Sequence, residues 1–237
     1  MKLTYIYHSC FVIESEQITL IFDYYKDTEQ NYVQQHINEF PGKLYVFSSH
    51  SHRDHFNPEI LNWREKRPDI QYILSKDIAE KHVNYGNNVC FLDKFETYCD
   101  NLLSVKAFGS TDIGVSFLVE IGEKRIFHAG DLNNWHWKEE STEDEAQKAE
   151  AFYLSELGSI PNEVHYLDVL MYPIDPRLGK EYTRGAEQFL EKIKVDLFVP
   201  MHFWNHHKDA NAFAPKAILK GCRFFEIQKE GDLIEIK

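Results

Sequence analysis

Short runs of apolar residues, separated by polar or turn-forming residues, dominate this chain and predict a protein rich in β-strands. Residues 3–7 alternate as a half-buried strand does, and further runs follow at 10–13 and 18–23. Longer apolar runs have the composition of buried strands. They predict strands at residues 44–47, 70–74, 102–108, 115–121, 125–131, 166–173 and 195–200.

Helical segments are predicted between these strands. They lie around residues 30–38, 58–66, 76–82, 143–157 and 184–193. Asn57 suits the N-cap of the second of these helices, and Pro58 suits its first position. The acidic residues near the segment 143–157 are most simply explained as the solvated face of an amphipathic helix.

The C-terminal segments 224–227 and 233–236 are predicted to form a hairpin that turns at Glu230 and Gly231. No internal repeat, low-complexity segment or linker interrupts the chain, so residues 1–237 are expected to form one domain. A strand-rich half before the acidic helix and an α/β half after it suggest two packed α/β layers.

The composition is that of an ordinary globular protein, with 43% hydrophobic and 27% charged residues. No stretch approaches the roughly 18–20 apolar residues of a membrane span, and no secretory signal is evident. The four cysteines lack CxxC spacing, and in a chain of this length they are expected to be reduced. We therefore expect a cytoplasmic protein without a membrane partner.

The formal net charge of −12 disfavours nucleic acid as a partner, because binding to phosphates requires clustered lysine and arginine side chains. A small substrate is expected instead, and an anionic one is compatible with this charge. A site that holds two cations presents local positive charge whatever the net charge of the chain is. The sequence makes no prediction about oligomeric state.

Four potential metal ligands follow the strand at 44–47, namely His50, His52, Asp54 and His55. In an extended segment His50 and His52 point to the same side, while Asp54 and His55 come one turn later. One loop could therefore hold two cations about 3.5–4 Å apart. Imidazole and carboxylate suit zinc, and also iron or manganese. The alternative, a polar loop with three chance histidines, is disfavoured by the density of the pattern.

The segment 49–55, Ser-His-Ser-His-Arg-Asp-His, resembles the metal-binding signature of the metallo-β-lactamase superfamily. Further similar segments near residues 131 and 202 extend the resemblance over essentially the whole chain. The resemblance implies an α/β fold, a four-layer αββα sandwich, with the metals at one edge between the two sheets. Strand ends that supply all the ligands agree with this architecture.

The resemblance also implies roles for residues outside the loop. In the superfamily the aspartate of a His-Ala-Gly-Asp segment such as the one ending at Asp131 bridges both metals. His202, at the end of a strand in Pro-Met-His, resembles the last metal histidine and joins Asp54 and His55 at the second metal. Asp23, after an apolar run, either positions the metal loop through hydrogen bonds or caps a turn.

The chain departs from the superfamily pattern at the first metal. Most members carry a third histidine on the loop before the hairpin, whereas this chain has Gly-Ser-Thr-Asp at 109–112. No histidine occurs between His82 and His128. The ligand set of His50 and His52 is therefore incomplete by the superfamily pattern.

Two explanations of this departure remain open. Asp112, or a hydroxyl of Ser110 or Thr111, completes the first site and makes it richer in oxygen. Otherwise the first metal is held weakly or is absent. Asp112 is the preferred candidate, and its alternative role is an Asx-type turn.

Other residues near these motifs have two interpretations each. His8 ends the first strand at a corner that the resemblance places near the site, but a satisfied surface histidine is the preferred interpretation. The aromatic run at 135–137 either walls a pocket or packs in the core. Asp175 and Arg177 follow a buried strand at a position where the resemblance implies substrate contact. The histidines expected to face solvent are His206 and His207.

Such a site predicts metal-assisted hydrolysis. A water shared by two cations loses a proton near neutral pH, since its pKa falls from 15.7 in bulk to about 7 on protein-bound zinc. The hydroxide attacks a carbonyl or phosphoryl centre, and Asp54 is the candidate catalytic residue that orients it. The resemblance is greatest to the lactonase and phosphodiesterase-like branch of the superfamily. It implies a small ester, lactone or phosphodiester substrate.

Two other functions remain open at this point. The first is a non-catalytic metal-binding or ligand-sensing protein with an incomplete first site. The second is a redox protein with a di-iron centre on the same scaffold, although such members usually carry a carboxylate at the position of His52. Metal content and an iron absorption band distinguish these possibilities from a hydrolase.

Overall fold

The computed structural model describes residues 1–80 and 85–237 and contains two seven-stranded sheets. The strands of the first part of the chain are β1 (Lys2–Tyr7), β2 (Cys10–Glu14), β3 (Ile18–Phe22), β4 (Lys43–Ser48), β5 (Gln71–Ser75) and β6 (Val89–Leu92). Those that follow are β7 (Thr97–Cys99), β8 (Ser104–Gly109), β9 (Val115–Ile121), β10 (Lys124–His128), β11 (Tyr166–Pro173), β12 (Lys194–Met201), β13 (Arg223–Phe224) and β14 (Leu233–Glu235).

Both sheets are mixed. The first has the order β14-β1-β2-β3-β4-β5-β6 and the second the order β13-β12-β11-β10-β9-β8-β7. In the first sheet β3 to β6 run parallel, and in the second sheet β10 to β13 do. The parallel strands of both sheets therefore send their carboxyl ends to a common edge, where ligand sites of α/β proteins form.

Helices cover the outer face of each sheet. The α-helices are α1 (Tyr32–His36), α2 (Glu143–Leu157), α3 (Arg184–Lys192), α4 (His207–Asn211) and α5 (Ala214–Leu219). Three 3₁₀ helices span Pro58–Glu65, Lys76–Glu80 and Pro176–Glu181. The predicted four-layer αββα sandwich is therefore confirmed. Within the described ranges, no helix is both long enough and apolar enough to cross a membrane.

Strand β4 illustrates how the sequence builds these layers. Its residues are buried on both faces, as expected of a strand inside a parallel sheet. Tyr45 and Phe47 face the second sheet, where Phe47 meets Phe117 with ring centroids 5.5 Å apart. Leu44 and Val46 face the opposite way, into the apolar layer beneath the covering helices. The strand thus fixes the loop that follows it with respect to both layers.

Most predicted elements are observed within a few residues of their predicted bounds, and α2 agrees at both ends. The helix after Asn57 is present as a 3₁₀ helix, and the Asn57 side chain accepts from the amide of Glu59 as a cap should. The predicted helix at 76–82 is described only as Lys76–Glu80, and His82 lies outside the described residues. Strands β6 and β7 and helices α4 and α5 were not predicted, because their apolar runs are short.

The predicted C-terminal hairpin is wrong. Strand β13 pairs with β12 in the second sheet, whereas β14 pairs with β1 in the first. Phe224 stacks on Phe198 with ring centroids 5.8 Å apart, and Ile234 lies opposite Leu3. Each strand pairs with an open sheet edge that the rest of the chain leaves available. The boundary between the sheets also falls between β6 and β7 rather than at the acidic helix.

Candidate metal centre

The histidine-rich loop leaves β4 at the common edge and is held there by Asp23, the residue after β3. The fully buried Asp23 carboxylate accepts hydrogen bonds from the Ser49 amide and the Ser49 hydroxyl, each at 2.7 Å. It also accepts from Nδ1 of His55 at 2.6 Å. Of the two interpretations of Asp23, the structure supports the one in which this residue positions the loop.

Two glycines allow the second sheet to approach the same loop closely. A Cβ atom at Gly114, where φ is +80°, would lie 2.2 Å from the carbonyl oxygen of Ser49. One at Gly130, where φ is +53°, would lie 2.8 Å from the Ser49 Cβ. Only a residue without a side chain fits such positions at low cost. The glycine of the His-Ala-Gly-Asp segment thus brings Asp131 against the histidine loop.

The structure gathers the candidate ligands into two groups of four. In the first, which we call the enclosed group, the ligand atoms of His8, Asp54, His55 and His202 all lie within 4.8 Å of one another. The three histidines are buried, and the Asp54 side chain is 26% exposed. Sequence reasoning predicted three of these residues and missed His8.

The second group, which we call the open group, consists of His50, His52, Asp112 and Asp131, again within 4.8 Å. Nδ1 of His52 is 3.3 Å from a carboxylate oxygen of Asp112, and both side chains are at least 40% exposed. The preferred position of Asp112 beside the first site is therefore observed. The hydroxyl of Thr111 instead donates to the backbone carbonyls of Asp131 and Asn133.

Asp131 lies between the two groups. Its Oδ1 is 3.2 Å from Nε2 of His55 and 3.4 Å from Nε2 of His202. Its Oδ2 is 3.6 Å from Nε2 of His50. One carboxylate oxygen thus faces the enclosed group and the other faces the open group.

The donor chemistry of these residues fits divalent cations. His55 gives its Nδ1 hydrogen to Asp23 and its pKa lies well below the usual range, so its Nε2 presents a lone pair. Nδ1 of His202 lies 3.0 Å from Asp175. Burial would lower the pKa of His202, but Asp131 and Asp175 outweigh it and raise that pKa, so a cation would displace a proton from this ring. The lone pair of His55 faces Asp131 Oδ1 at 3.2 Å, and that oxygen is also an acceptor when the carboxylate is ionised. His55 Nε2 and Asp131 Oδ1 are buried and make no hydrogen bond to any described residue. Two buried acceptors in contact are costly, and either a proton on Asp131 or a cation between them removes that cost.

The spacing of these atoms supports the same conclusion. Ligand atoms at about 2.1 Å from a tetrahedral cation are separated from each other by about 3.4 Å. The separations of 3.2, 3.4 and 3.6 Å around Asp131 match that value closely. Hydrogen-bonded N–H···O⁻ pairs are usually shorter, at about 2.7–2.9 Å.

Burial and neighbouring charges set the protonation of the ligands. Burial, with the nearby imidazoles, holds the pKa of His50 and of His55 well below the usual range, so both rings are neutral at pH 7. Burial alone would raise the pKa of Asp54, but the imidazoles of His8 and His55 outweigh it and the net pKa is lowered. Burial raises the pKa of Asp131 to about 7, with a further contribution from Asp54.

A cleft of about 330 Å³ opens beside the two groups. Trp135 and Trp137 line it, so the prediction that aromatic residues wall a pocket holds for them. The Trp135 indole donates to the carbonyl of Asp131 at 2.8 Å, which fixes the wall to the candidate ligand. His136 points elsewhere, with Nε2 3.2 Å from the carbonyl of Glu181.

Arg177 also lines the cleft and lies near two indoles. Its guanidinium carbon lies 6.0 Å from the ring centre of Trp137 and 5.8 Å from that of Trp204. Asp175 binds this guanidinium and His202 together, so it supports the site from behind rather than lining the cleft. Neither the support from Asp175 nor the role of Trp204 was predicted, because no local pattern signals them.

The interpretation of His8 as a surface histidine is wrong. Its side chain is fully buried, and its ring lies 4.2 Å from that of His202 and 4.1 Å from that of Trp204. The reason lies in the backbone, which takes a left-handed conformation at His8, where φ is 57°. The hydroxyl of Tyr5 and the amide of His202 bind the His8 backbone and hold the ring inward.

The other histidines differ in their surroundings. His206 is exposed, as predicted, and lies 3.4 Å from the carboxylate of Asp209. His207 is only partly exposed, because it packs edge-on against Tyr5 and Phe203. Neither belongs to the two groups of candidate ligands in the described part of the chain.

Comparison with known proteins identifies the class. A model of the β-lactamase superfamily domain matches residues 2–202. A UPF0173 metal-dependent hydrolase of Salinibacter ruber is 25% identical over 86% of this chain and 84% of its own length. Another, from Nanoarchaeum equitans, is 25% identical over 98% of this chain and 99% of its own length.

Solved structures agree on the fold. Igni18, a metallo hydrolase from Ignicoccus hospitalis, is 18% identical, with a TM-score of 0.66 over 100% of this chain and 99% of its own. CmlA, a diiron β-hydroxylase from Streptomyces venezuelae, is 13% identical, with a TM-score of 0.67 over 98% of this chain and 53% of its own. The same fold thus carries two different chemistries.

The chain belongs to the β-lactamase superfamily, as the motifs at its strand ends predicted. Its sequence relatives are named metal-dependent hydrolases, which agrees with the predicted enzyme class.

Proposed function

We propose that this protein is a hydrolase that binds two divalent cations, one in each group of ligands. The open group would hold one cation through His50, His52 and Asp112. The enclosed group would hold the other through residues that include Asp54, His55 and His202. The observation that carries the proposal is the position of Asp131, with one carboxylate oxygen toward each group. Zinc is the expected metal, and the carboxylates also suit manganese or iron.

When bound, the cations supply an acidified water and positive charge for the anion that develops at a carbonyl or phosphoryl centre. The chain's own residues prepare the site. Asp23 and Asp175 hold the Nδ1 sides of His55 and His202 and leave each Nε2 free. Asp54 stays ionised and partly exposed, and we assign its carboxylate the role of orienting the attacking water by accepting its hydrogen.

The cleft favours a small substrate with a flat or anionic group. Its volume of about 330 Å³ suits a small molecule, and Trp135 and Trp137 offer flat apolar walls. Arg177 adds positive charge beside the cluster of carboxylates, and its hydrogen bonds to Asp175 hold the guanidinium in place. We therefore propose a small anionic ester, lactone or phosphodiester as substrate.

The position of Asp112 also bears on the non-catalytic alternative. That alternative rested on a first site with only two protein ligands. With Asp112 beside His52, and with Asp131 shared, the open group offers four ligand atoms. An incomplete first site is therefore no longer a reason to prefer a sensing protein.

Metal analysis of protein purified without chelators tests the proposal. We expect two equivalents per chain in the wild type and loss of both in Asp131→Ala, whereas the exposed Asp209→Ala should retain both. Full retention by Asp131→Ala would rule out the bridging role. Hydrolysis is then measured on a panel of lactones, esters and phosphodiesters. Two bound cations without turnover of any compound would favour the sensing protein.

A further inference from the structure

His8 is the one member of the enclosed group that no sequence motif identified. Its ring is fully buried, and neither ring nitrogen makes a hydrogen bond to a described residue. Its Nε2 lies 3.3 Å from Oδ2 of Asp54, a separation longer than that of a usual hydrogen bond to a carboxylate. A buried imidazole whose Nδ1 has no partner among the described residues, and whose Nε2 has only this long contact, is costly unless something binds it.

The backbone around His8 fixes this orientation. His8 and His202 both adopt left-handed conformations, with φ values of 57° and 62°, although neither is a glycine. The His202 amide donates to the His8 carbonyl, and the Tyr5 hydroxyl accepts from the His8 amide. Strained backbone of this kind persists where surrounding contacts hold it, and it clusters at functional sites. The ends of β1 and β12 are thereby joined so that two imidazoles meet.

The number of ligands differs between the two groups once the shared Asp131 is set aside. The open group then has three ligands of its own, two of which are exposed. The enclosed group has four, of which three are buried histidines. With Asp131 counted at both groups, the enclosed group still has one more protein ligand than the open group, and its histidines are buried. A site with more protein ligands leaves fewer coordination positions to solvent.

We propose that His8 is a ligand of the enclosed cation, and that its presence makes this cation tightly held while the cation of the open group exchanges. The inference rests on the proposed two-cation site. The exposed His52 and Asp112 leave the open group accessible from solvent.

Stepwise removal of Co²⁺ tests the inference without any substrate. Wild-type protein loaded with two equivalents is dialysed against a chelator, and the remaining metal and the visible absorption of Co²⁺ are followed. We expect one equivalent to leave early and the other to remain. In His8→Ala this second equivalent should bind about 100-fold more weakly, or worse, and should leave on dialysis. The reason is that loss of a residue that only supports a ligand already lowers metal affinity 10–100-fold.

Comparison of His8→Gln with His8→Ala shows whether His8 is a metal ligand or a residue that only supports Asp54. His8→Gln keeps a hydrogen-bond donor near the Nε2 position but is a poor metal ligand, so it should also lose the retained equivalent. Retention of that equivalent by His8→Gln, with loss in His8→Ala, would overturn the ligand assignment. His206→Ala, at an exposed histidine, is the matched control and should behave as the wild type.

The outcomes separate this inference from the proposed function. If the wild type binds two cations that leave together, the difference between the groups is refuted and the two-cation site stands. If the wild type binds no divalent cation, the proposed function fails as well. Circular dichroism of the metal-free variants shows whether His8→Ala folds, and His8→Asn, which tolerates the left-handed backbone, replaces it if it does not.

Discussion

Replacing Asp23 by Asn tests whether the metal loop depends on a residue that touches no cation. The variant keeps the shape of the side chain but exchanges Oδ2, which accepts from Nδ1 of His55 and from the Ser49 hydroxyl, for an NH₂ group. An NH₂ group cannot accept from Nδ1. His55 would then favour the tautomer with its hydrogen on Nε2, the nitrogen that faces Asp131.

The expected loss of cation affinity is 10–100-fold, or about 1.4–2.7 kcal/mol, the usual effect of removing a carboxylate behind a metal-ligating histidine. Competition with a chromophoric chelator measures it. Asp27→Asn is the matched control, because Asp27 is also buried and accepts from the amides of Thr28, Val33 and Gln34 at α1. The control should lower stability without changing cation affinity. Wild-type affinity in Asp23→Asn would refute the positioning role.

The remaining predictions concern the open group, the loop and the two sheets. Asp112→Ala should bind one equivalent of metal instead of two by elemental analysis, and unchanged stoichiometry would remove Asp112 from the ligands. Gly114→Ala should lower stability by at least about 1–2 kcal/mol in urea melts, because its backbone is left-handed and its Cβ would clash with Ser49. Hydrogen bonds from Lys43 and Tyr45 outweigh burial and lower the pKa of Asp100. Because the pKa of Asp100 is lower in the folded state than its unperturbed value of 3.8, its ionised carboxylate stabilises the fold above pH 3.8. The free energy of unfolding should therefore fall as the pH drops below 3.8 in the wild type, and should fall less in Asp100→Asn. Chelation should lower the melting temperature, and re-addition of metal at 1,000 times its Kd should restore about 4 kcal/mol; a metal-independent melting temperature would contradict this.

The parts of the site that the sequence predicted are those with short-range signals. The loop from His50 to His55 follows a buried strand, and its alternation places neighbouring ligands without knowledge of the rest of the chain. Asp131 and His202 each end an apolar run, so the resemblance to a known family could be read at both. The parallel strands that bring them to one edge also leave clear apolar patterns.

The parts that were missed depend on contacts between distant segments. His8 and His202 meet because both adopt a left-handed backbone, and in residues other than glycine no sequence pattern signals that conformation. The same limit applies to the support that Asp175 gives His202. The C-terminal strands were mispaired for a related reason, since pairing with a sheet edge depends on which edges the rest of the fold leaves open.

The origin of the ligands explains why cation binding and folding should be coupled in this protein. His8, Asp54 and His55 follow strands of the first sheet, whereas Asp131 and His202 follow strands of the second. Without cations, burial and the charge of Asp54 raise the pKa of Asp131 to about 7, so the ionised form of Asp131 is unfavourable at this edge. A bound cation would offset this cost and would link ligands of one sheet to ligands of the other. The edge of the sandwich that carries these residues should therefore gain order when cations bind.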